Sequence, residues 1–285
     1  MATKTLEKMK RIPRREILRL GIRSAGALLL PSLCLGDRYS ELAGVSRGWP
    51  GLGLGDRIVA AGREFMGVPY VGWTLEGDPE QCRVYMDKLD CVTFLESAWA
   101  VARCAPDVTS DRVRRAVTQT RYRAGKVDGY WSRLHYTTDT LHTHQRSGKI
   151  EIVSENWPKG VLWDPETSYM SSRPEGYAAS KYVANFAEQA KEMENQLVDI
   201  RFKRIPVEAW ESVLPRMKPG DFVAFCTTKK WLDFSHVGIY SGSGQFMHAS
   251  STAGKVVEQG LVEWGRGVRS CNGMVVSRSA EFDVR

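Results

Sequence analysis

The spacing of apolar residues changes near Arg204, and this change constrains the fold more than any other feature. Before Arg204, apolar residues recur at helical spacing in several segments, including the one that starts at Cys91. After it, short apolar runs alternate with turn sequences, a pattern typical of antiparallel strands. The chain therefore predicts an α+β fold in one domain, with a helical half at about residues 56–205 and a β half at about 206–285.

Five apolar runs in the β half predict strands, at residues 222–226, 234–240, 245–250, 256–258 and 273–276. Ser241–Gly244 is a tight turn that joins the second and third runs into a hairpin. We expect these strands to form an antiparallel sheet or a half-barrel.

The helical half contains less regular patterns. Asp56 is in position to cap a helix that runs to Phe65, and residues 182–196 have helical spacing. Residues 165–180 predict a loop. Residues 112–123 predict a helix whose basic side chains form a solvated face.

The first 36 residues have the order of an export signal. Adjacent Arg14 and Arg15, followed by apolar residues and a base, are similar to a twin-arginine motif, and a weakly apolar run continues to Leu35. That run is too short and too polar for a stable membrane span. We expect export to the periplasm or cell envelope, with residues 37–55 as a Gly-rich linker. A basic amphipathic helix of a cytosolic protein is the alternative, and the cleavage site and a lipid anchor at Cys34 stay open.

The net charge of +7 does not predict a nucleic-acid partner. Much of the basic excess lies in this N-terminal segment, and no stripe of Lys and Arg alternates with aromatic residues elsewhere.

Cys91 stands where an apolar helical pattern begins, with Asp90 in the N-cap position. In the first turn of a helix, a sulfur faces unpaired N–H groups and the positive end of the helix dipole. This environment favours the thiolate and lowers the pKa of a thiol from about 8.5 to roughly 3.5–7.5. Cys91 is therefore a candidate nucleophile. A small buried apolar residue is the alternative.

Two histidines lie on the two strands of the predicted hairpin. Antiparallel pairing brings His236 and His248 near each other, on one face. A cysteine on a helix, a histidine that takes its proton and a polar group that orients the imidazole are the parts of a thiol hydrolase.

Residues 130–139 concentrate aromatic, hydroxyl, Arg and His side chains, as pockets for sugars or peptides do. His142 and His144 follow, but no cysteine or carboxylate cluster accompanies them at metal-ligand spacing. We expect surface histidines here, and neither a metal nor an organic cofactor.

The order of the motifs resembles that of the NlpC-type papain-like cell-wall cysteine peptidases. The motifs are Pro69-Tyr70, Asp90-Cys91, Lys218-Pro219-Gly220-Asp221, Ser235–Tyr240 and Met247-His248-Ala249. Three further stretches resemble a branch described as N-acetylmuramoyl-L-alanine amidase-like: Leu75-Glu76, Leu89–Glu96 and Ser132–Tyr136. The resemblance covers roughly residues 55–280.

This resemblance implies a papain-like fold and roles for individual residues. It implies Cys91 as nucleophile, His236 as general base and His248 as the residue that orients it, and it places Tyr70 and Asp90 toward the substrate.

Three residues of the aromatic loop are typical of the branch. Arg133, His135 and Tyr136 are expected to contact a muropeptide, with a purely structural loop as the alternative.

The implied activity is hydrolysis of an amide bond of a peptidoglycan stem peptide through a thioester. The bond between the muramic acid lactyl group and L-alanine is preferred. In the peptidases a serine usually follows the cysteine, whereas here Val92 takes that place, which weakens the case for a γ-D-glutamyl endopeptidase. That endopeptidase, a papain-like acyltransferase, a non-catalytic peptidoglycan-binding module and a metal-dependent amidase that uses His142 and His144 remain alternatives.

Cysteine pairing is left open by the sequence. Apart from Cys34 and Cys91, four cysteines remain, which allow three disulfide pairings or four buried thiols: Cys82, Cys104, Cys226 and Cys271.

Overall fold

Helices come first along the chain and the sheet second, as the apolar spacing predicts. The structure is a computed structural model that describes the backbone of residues 35–284 and the side chains of residues 38–284. The α-helices in this part of the chain are α1 (Leu35–Ser46), α2 (Leu54–Glu64), α3 (Cys91–Cys104), α4 (Ser110–Arg121), α5 (Thr137–Arg146), α6 (Tyr169–Ser172), α7 (Phe186–Asn195), α8 (Trp210–Val213) and α9 (Leu261–Gly267). Short 3-10 helices lie at Arg123–Gly125, Tyr130–Ser132, Val153–Asn156, Pro174–Gly176, Ala178–Lys181, Val207–Ala209 and Leu214–Arg216.

The strands of residues 35–284 form one six-stranded antiparallel sheet and one separate pair. The strands are β1 (Ile150–Glu151), β2 (Val161–Trp163), β3 (Phe202–Arg204), β4 (Phe222–Thr227), β5 (Phe234–Gly242), β6 (Gln245–Ser250), β7 (Lys255–Gly260) and β8 (Cys271–Ser279). The order in the large sheet is β1-β8-β4-β5-β6-β7, and β2 pairs with β3. All five strands predicted for the β half are present, whereas β1, β2 and β3 lie in the half predicted to be helical.

The sheet opens between β5 and β6, and this opening defines the site. The pairing of the hairpin runs from Gly242 with Gln245 to Ile239 with Met247 and ends there. Beyond that point β5 continues to Phe234 on β4, while β6 continues to Ser250 on β7. The backbone edges of the two strands therefore diverge, and N–H groups of β5 become available to other partners.

Helix α3 lies at the centre of the larger core. Asp90 caps it: one carboxylate oxygen accepts the N–H of Thr93 at 2.8 Å, and the hydroxyl of Thr93 accepts the N–H of Asp90 at 2.8 Å. From Thr93 onward almost every residue of the helix is buried, against α2, α4 and the sheet face that carries Ala224 and Val237. This burial fixes the start of α3, and with it Cys91, against β5.

A buried ion pair joins α3 to α4. The Nη2 atom of Arg121 lies 2.7 Å from Oε2 of Glu96, and the two side chains are 3% and 11% exposed. The prediction of a solvated basic face on α4 is therefore wrong for Arg121, because the helix turns this residue toward α3. Arg112 and Arg114 keep exposed partners, as predicted.

Three other expectations need correction. Residues 37–46 belong to α1, whose Leu42 is fully buried, so the predicted linker over 37–55 is wrong in its first part. Helix α2 starts at Leu54 with Gly53 as its N-cap, and Asp56 lies in its first turn rather than at the cap. The loop predicted over 165–180 contains α6 and two 3-10 turns, because its apolar residues pack with α7 in a separate cluster.

The predicted export signal falls on residues outside the described part of the chain, apart from the start of α1. Within residues 35–284, every helix is too short or too polar to cross a membrane.

The position of helix α9 depends on a glycine. A Cβ atom on Gly265 would lie 2.1 Å from the ring of Trp210, which is fully buried and donates its indole N–H to the carbonyl of Ile205 at 2.9 Å. The preceding residue, Trp264, stacks on His236 with ring centroids 5.3 Å apart. The close approach at Gly265 therefore also sets the position of a ring at the site.

We expect Gly265→Ala to lower the thermal unfolding midpoint, because overpacking of a filled core costs about 1–3 kcal/mol. Gly267→Ala is the matched control, since a Cβ atom there meets open space. Differential scanning calorimetry of the two variants and the wild type measures the effect. Equal midpoints for the two variants would show that the Trp210 contact does not constrain α9.

Candidate active site

Cys91 is the first residue of α3 and lies at the opening between β5 and β6. Its thiol accepts a hydrogen bond from the backbone N–H of Val237, and the N–H groups of Cys91 and Val92 also favour a negative sulfur. Val237 directly follows His236 on β5. The helix start thus meets the strand at the residue next to the predicted base.

The protonation of Cys91 differs from the expectation. Burial, with a smaller contribution from the neighbouring carboxylate of Asp90, raises the pKa of the thiol to about 12. The backbone N–H groups lower it, as predicted for a helix start, but desolvation outweighs them. The prediction of a depressed pKa is wrong because it considered the helix and not the protein packed around it. The resting sulfur is therefore a neutral thiol.

The two predicted histidines meet as the hairpin implies. The Nε2 atom of His236 lies 2.6 Å from the Nδ1 atom of His248. Burial, with a smaller contribution from the neighbouring His248, lowers the pKa of His236 to about 3. Burial also lowers the pKa of His248. Both rings are consequently neutral at pH 7.

Gln259 extends this pair into a chain of three side chains. Its Oε1 atom lies 2.8 Å from the Nε2 atom of His248. An amide oxygen only accepts, so the Nε2 of His248 carries the proton and its Nδ1 is the acceptor. His236 must then donate from Nε2 to that acceptor, which leaves the Nδ1 of His236 with a free lone pair.

Aromatic rings hold the His236 imidazole on its side of the sheet. Trp264 and Phe225 stack on it with interplanar angles of 27° in both cases, and Phe246 stacks on His248 at 14°. These rings remove water from the two imidazoles, which is the physical cause of their low pKa values.

Tyr70 and Asp90 lie beside Cys91, and their contact with the substrate stays a prediction. Tyr70 forms a bridge with Leu89, and burial followed by the nearby groups of Cys91 and Asp90 raises the pKa of its phenol. The phenol therefore keeps its proton and is a hydrogen-bond donor near the sulfur. The carboxylate of Asp90 is occupied by the Thr93 cap.

The three residues predicted to bind muropeptide have partners within the protein. Arg133 is buried and pairs with Glu76 at 3.1 Å and Glu80 at 3.3 Å. The Nε2 of His135 contacts the carbonyl of Tyr130 at 2.9 Å.

The third of these residues, Tyr136, donates its hydroxyl to Glu194 at 2.8 Å. These contacts favour the structural alternative for the loop, and substrate contact by Arg133, His135 and Tyr136 stays a prediction.

His142 and His144 do not form a metal site with other residues. Among residues 35–284, no group of three or more His, Cys, Asp or Glu side chains is placed to hold a metal ion. His144 is 1% exposed, which corrects the expectation of a surface histidine, and its Nε2 contacts the carbonyl of Thr120 at 2.8 Å.

The cysteines of the described region are all free thiols, namely Cys82, Cys91, Cys104, Cys226 and Cys271. Of the two alternatives, the structure therefore has thiols rather than disulfides. Cys34 lies outside the described residues.

The sequence did not single out Gln259 or the N–H of Val237. Gln259 pairs with Phe246 in the β6–β7 register and therefore lies diagonally across from His248. A register for β7 would have identified it, but a short strand after a turn does not specify its register from sequence alone. The role of Val237 depends on where the β5–β6 pairing ends.

Comparisons with known proteins find one matching family and several similar solved structures. The sequence model of the N-acetylmuramoyl-L-alanine amidase-like family matches residues 60–271. An N-acetylmuramoyl-L-alanine amidase from Bacteroides uniformis superposes with a TM-score of 0.74 at 30% identity, over 79% of this chain and 98% of that one. A Bacteroides fragilis protein named as a proposed xylanase superposes with a TM-score of 0.71 at 34% identity, over 77% and 99% of the two chains.

A curated relative matches over a shorter stretch. The gamma-DL-glutamyl hydrolase of Bacillus subtilis (strain 168) is 30% identical over 129 residues, which are 44% of this chain and 29% of that enzyme. The chain thus spans less than a third of the length of that relative. The family match, by contrast, runs from α2 to the start of β8 and includes Cys91, His236 and His248. The chain belongs to the N-acetylmuramoyl-L-alanine amidase-like family.

Proposed function

We propose that this protein is a cysteine-dependent amidase with a papain-like, NlpC-type arrangement that cleaves a peptidoglycan stem peptide. The preferred bond joins the lactyl group of muramic acid to L-alanine. One observation carries the proposal: a cysteine at a helix start touches the strand residue next to His236, which is the first of three hydrogen-bonded side chains. Membership of the amidase-like family supports an amide as the substrate.

The mechanism starts from a neutral thiol and a neutral imidazole. The Nδ1 lone pair of His236 takes the proton of Cys91 as the sulfur attacks the amide carbonyl carbon. The imidazolium that forms is stabilised by the neutral Nδ1 of His248, whose tautomer Gln259 fixes. Proton transfer and attack are coupled, because neither group is ionised beforehand.

The oxyanion that forms on the carbonyl needs preorganised donors. The N–H groups of Cys91 and Val92 are in the first turn of α3, and the N–H of Thr93 is occupied by the Asp90 cap. The protonated phenol of Tyr70 is a third donor nearby. His236 then returns its proton to the leaving amine, and water hydrolyses the thioester.

Two other activities are suggested by relatives. The name of the gamma-DL-glutamyl hydrolase suggests hydrolysis of a γ-glutamyl bond, which would make this protein an endopeptidase. The Bacteroides fragilis protein suggests a glycosidic bond. Glycosidases usually place two carboxyl groups around the scissile bond, whereas this site presents sulfur and imidazole, and its nearest carboxylate caps a helix. We therefore favour amide cleavage.

The N-terminal sequence supports a proposal for where the protein acts. We propose that the twin-arginine-type segment exports the protein to the periplasm or envelope, where peptidoglycan is accessible.

The first prediction concerns the bond that is cut. Wild-type protein, incubated with muropeptides in EDTA, should release a free sugar and a peptide that begins with L-alanine, and Cys91→Ala should release neither. Mass spectrometry of the products measures this. Cuts inside the stem peptide would identify an endopeptidase, and new reducing sugar ends would identify a glycosidase. Cleavage by folded Cys91→Ala would exclude Cys91 as the nucleophile, and no cleavage by either protein would favour a binding module or another amide.

The second prediction concerns the resting thiol. Because its pKa is raised to about 12, alkylation of Cys91 by iodoacetamide should rise about tenfold per pH unit between pH 7 and 10. Peptide mass spectrometry isolates the Cys91 signal from the other thiols. A preformed thiolate–imidazolium pair would instead give fast alkylation with a plateau between about pH 5 and 8, and that plateau would contradict the neutral resting state.

The third prediction concerns the tautomer that Gln259 selects. Gln259→Leu should lower kcat/KM roughly tenfold or more, because His248 is then free to protonate Nδ1 and His236 loses its lone pair toward sulfur. In Gln259→Glu, the carboxylate still accepts a hydrogen bond from His248, so this variant should retain activity. The acidic limb of its pH–activity profile should move to higher pH.

The matched control is Glu258→Leu, an exposed change at the neighbouring position of β7. Equal kcat/KM values and pH profiles for the Gln259→Leu and Glu258→Leu proteins would remove Gln259 from the mechanism.

A further inference from the structure

A cavity lies beside the nucleophile, between α3, α5 and the sheet. It contains about 670 Å³ of empty space, part of it open to solvent. Val92, which follows Cys91, lies at its edge and is 42% exposed, while Phe222 and Ala224 at the sheet end are buried. The cavity therefore runs from the surface near Cys91 into the interior.

The walls of the cavity are predominantly apolar and carry no net charge. Leu95, Trp99 and Leu141 contribute large apolar surfaces. Two charged residues reach the wall, Glu96 and Arg121, and they neutralise each other in the buried ion pair. An anionic or cationic ligand would find no free counter-charge in this wall, so the chemistry favours an uncharged aliphatic ligand.

One residue of the wall, His144, has a buried polar atom without a hydrogen-bond partner. The Nδ1 of His144 makes no hydrogen bond, although its ring is 1% exposed. The Nε2 of the same ring contacts the Thr120 carbonyl at 2.8 Å, so Nε2 carries the proton and Nδ1 is an acceptor. Burial lowers the pKa of His144 to about 3, which agrees with this neutral tautomer.

Apolar wall that is left in contact with water and a buried acceptor without a partner both carry a cost in free energy. A molecule with an apolar body and one donor removes both costs together.

We propose that this cavity binds an uncharged aliphatic chain that carries a hydroxyl or amide N–H group, which donates a hydrogen bond to Nδ1 of His144. The chain enters past Val92 and Thr137, lies along Leu95 and Trp99, and ends toward Phe222. It belongs either to an acylated substrate held at Cys91 or to a separate molecule. The site does not depend on which bond the enzyme cuts.

The test is direct binding of 1-octanol to the full protein, with octyl methyl ether as a probe that lacks the donor. Isothermal titration calorimetry gives the affinity, and the ¹⁵N shift of His144 Nδ1 in histidine-labelled protein reports the hydrogen bond. The alcohol should bind about three- to tenfold more tightly than the ether and should shift Nδ1.

Two variants on α5 distinguish octanol binding in the cavity from nonspecific partition of octanol into the protein. Thr140→Phe fills the cavity from α5 and should weaken octanol binding at least tenfold, whereas Gln145→Phe, exposed on the same helix and outside the cavity, should not. His144→Phe should make alcohol and ether bind equally. Absence of octanol binding to the wild type, equal binding of alcohol and ether to it, or equal effects of the two α5 variants would overturn the proposal.

Inhibition of hydrolysis distinguishes the two sources of the chain. Octanol that competes with an N-acylated substrate, but not with its unacylated counterpart, identifies the cavity as a subsite for the acyl chain. Octanol binding without competition identifies a separate ligand.

Discussion

The packing of α3 against the sheet is the interaction on which the site depends. It buries nearly every residue of the helix after Val92 and holds the thiol of Cys91 against the N–H of Val237, where β5 and β6 separate. The same burial withdraws water from the sulfur and raises its pKa. Position and protonation therefore have one cause: the packing that delivers the nucleophile also keeps it neutral.

A neutral nucleophile makes the orientation of the imidazole more important. With a preformed ion pair, attraction between the charges would align thiolate and imidazolium. Here the alignment comes from neutral hydrogen bonds, in the order Gln259, His248, His236, and from the rings of Trp264 and Phe225. The close fit of Gly265 on Trp210 sets the position of the neighbouring Trp264 ring, which links core packing to proton transfer.

The sequence predicts the structural features that depend on residues close to one another along the chain. The Asp90 cap, the start of α3 and the hairpin that brings His236 to His248 all follow from local spacing and turn residues. The features that it does not predict depend on tertiary packing. The pKa of Cys91 depends on the surrounding protein, Gln259 on the register of β7, and the burial of Arg121 on the contact of α4 with α3.

The side of α3 that faces the cavity is a second place where tertiary packing determines features that the sequence does not predict. Glu96 and Arg121 place two charges in the interior, and such a pair is often no more stabilising than well-packed apolar residues would be. Next to this pair the packing is incomplete and His144 lacks a partner. Departures from good packing and from hydrogen-bond satisfaction are expected at functional sites, and here they coincide within one wall of the cavity beside Cys91. This coincidence, rather than the volume of the cavity alone, is the reason to assign it a ligand.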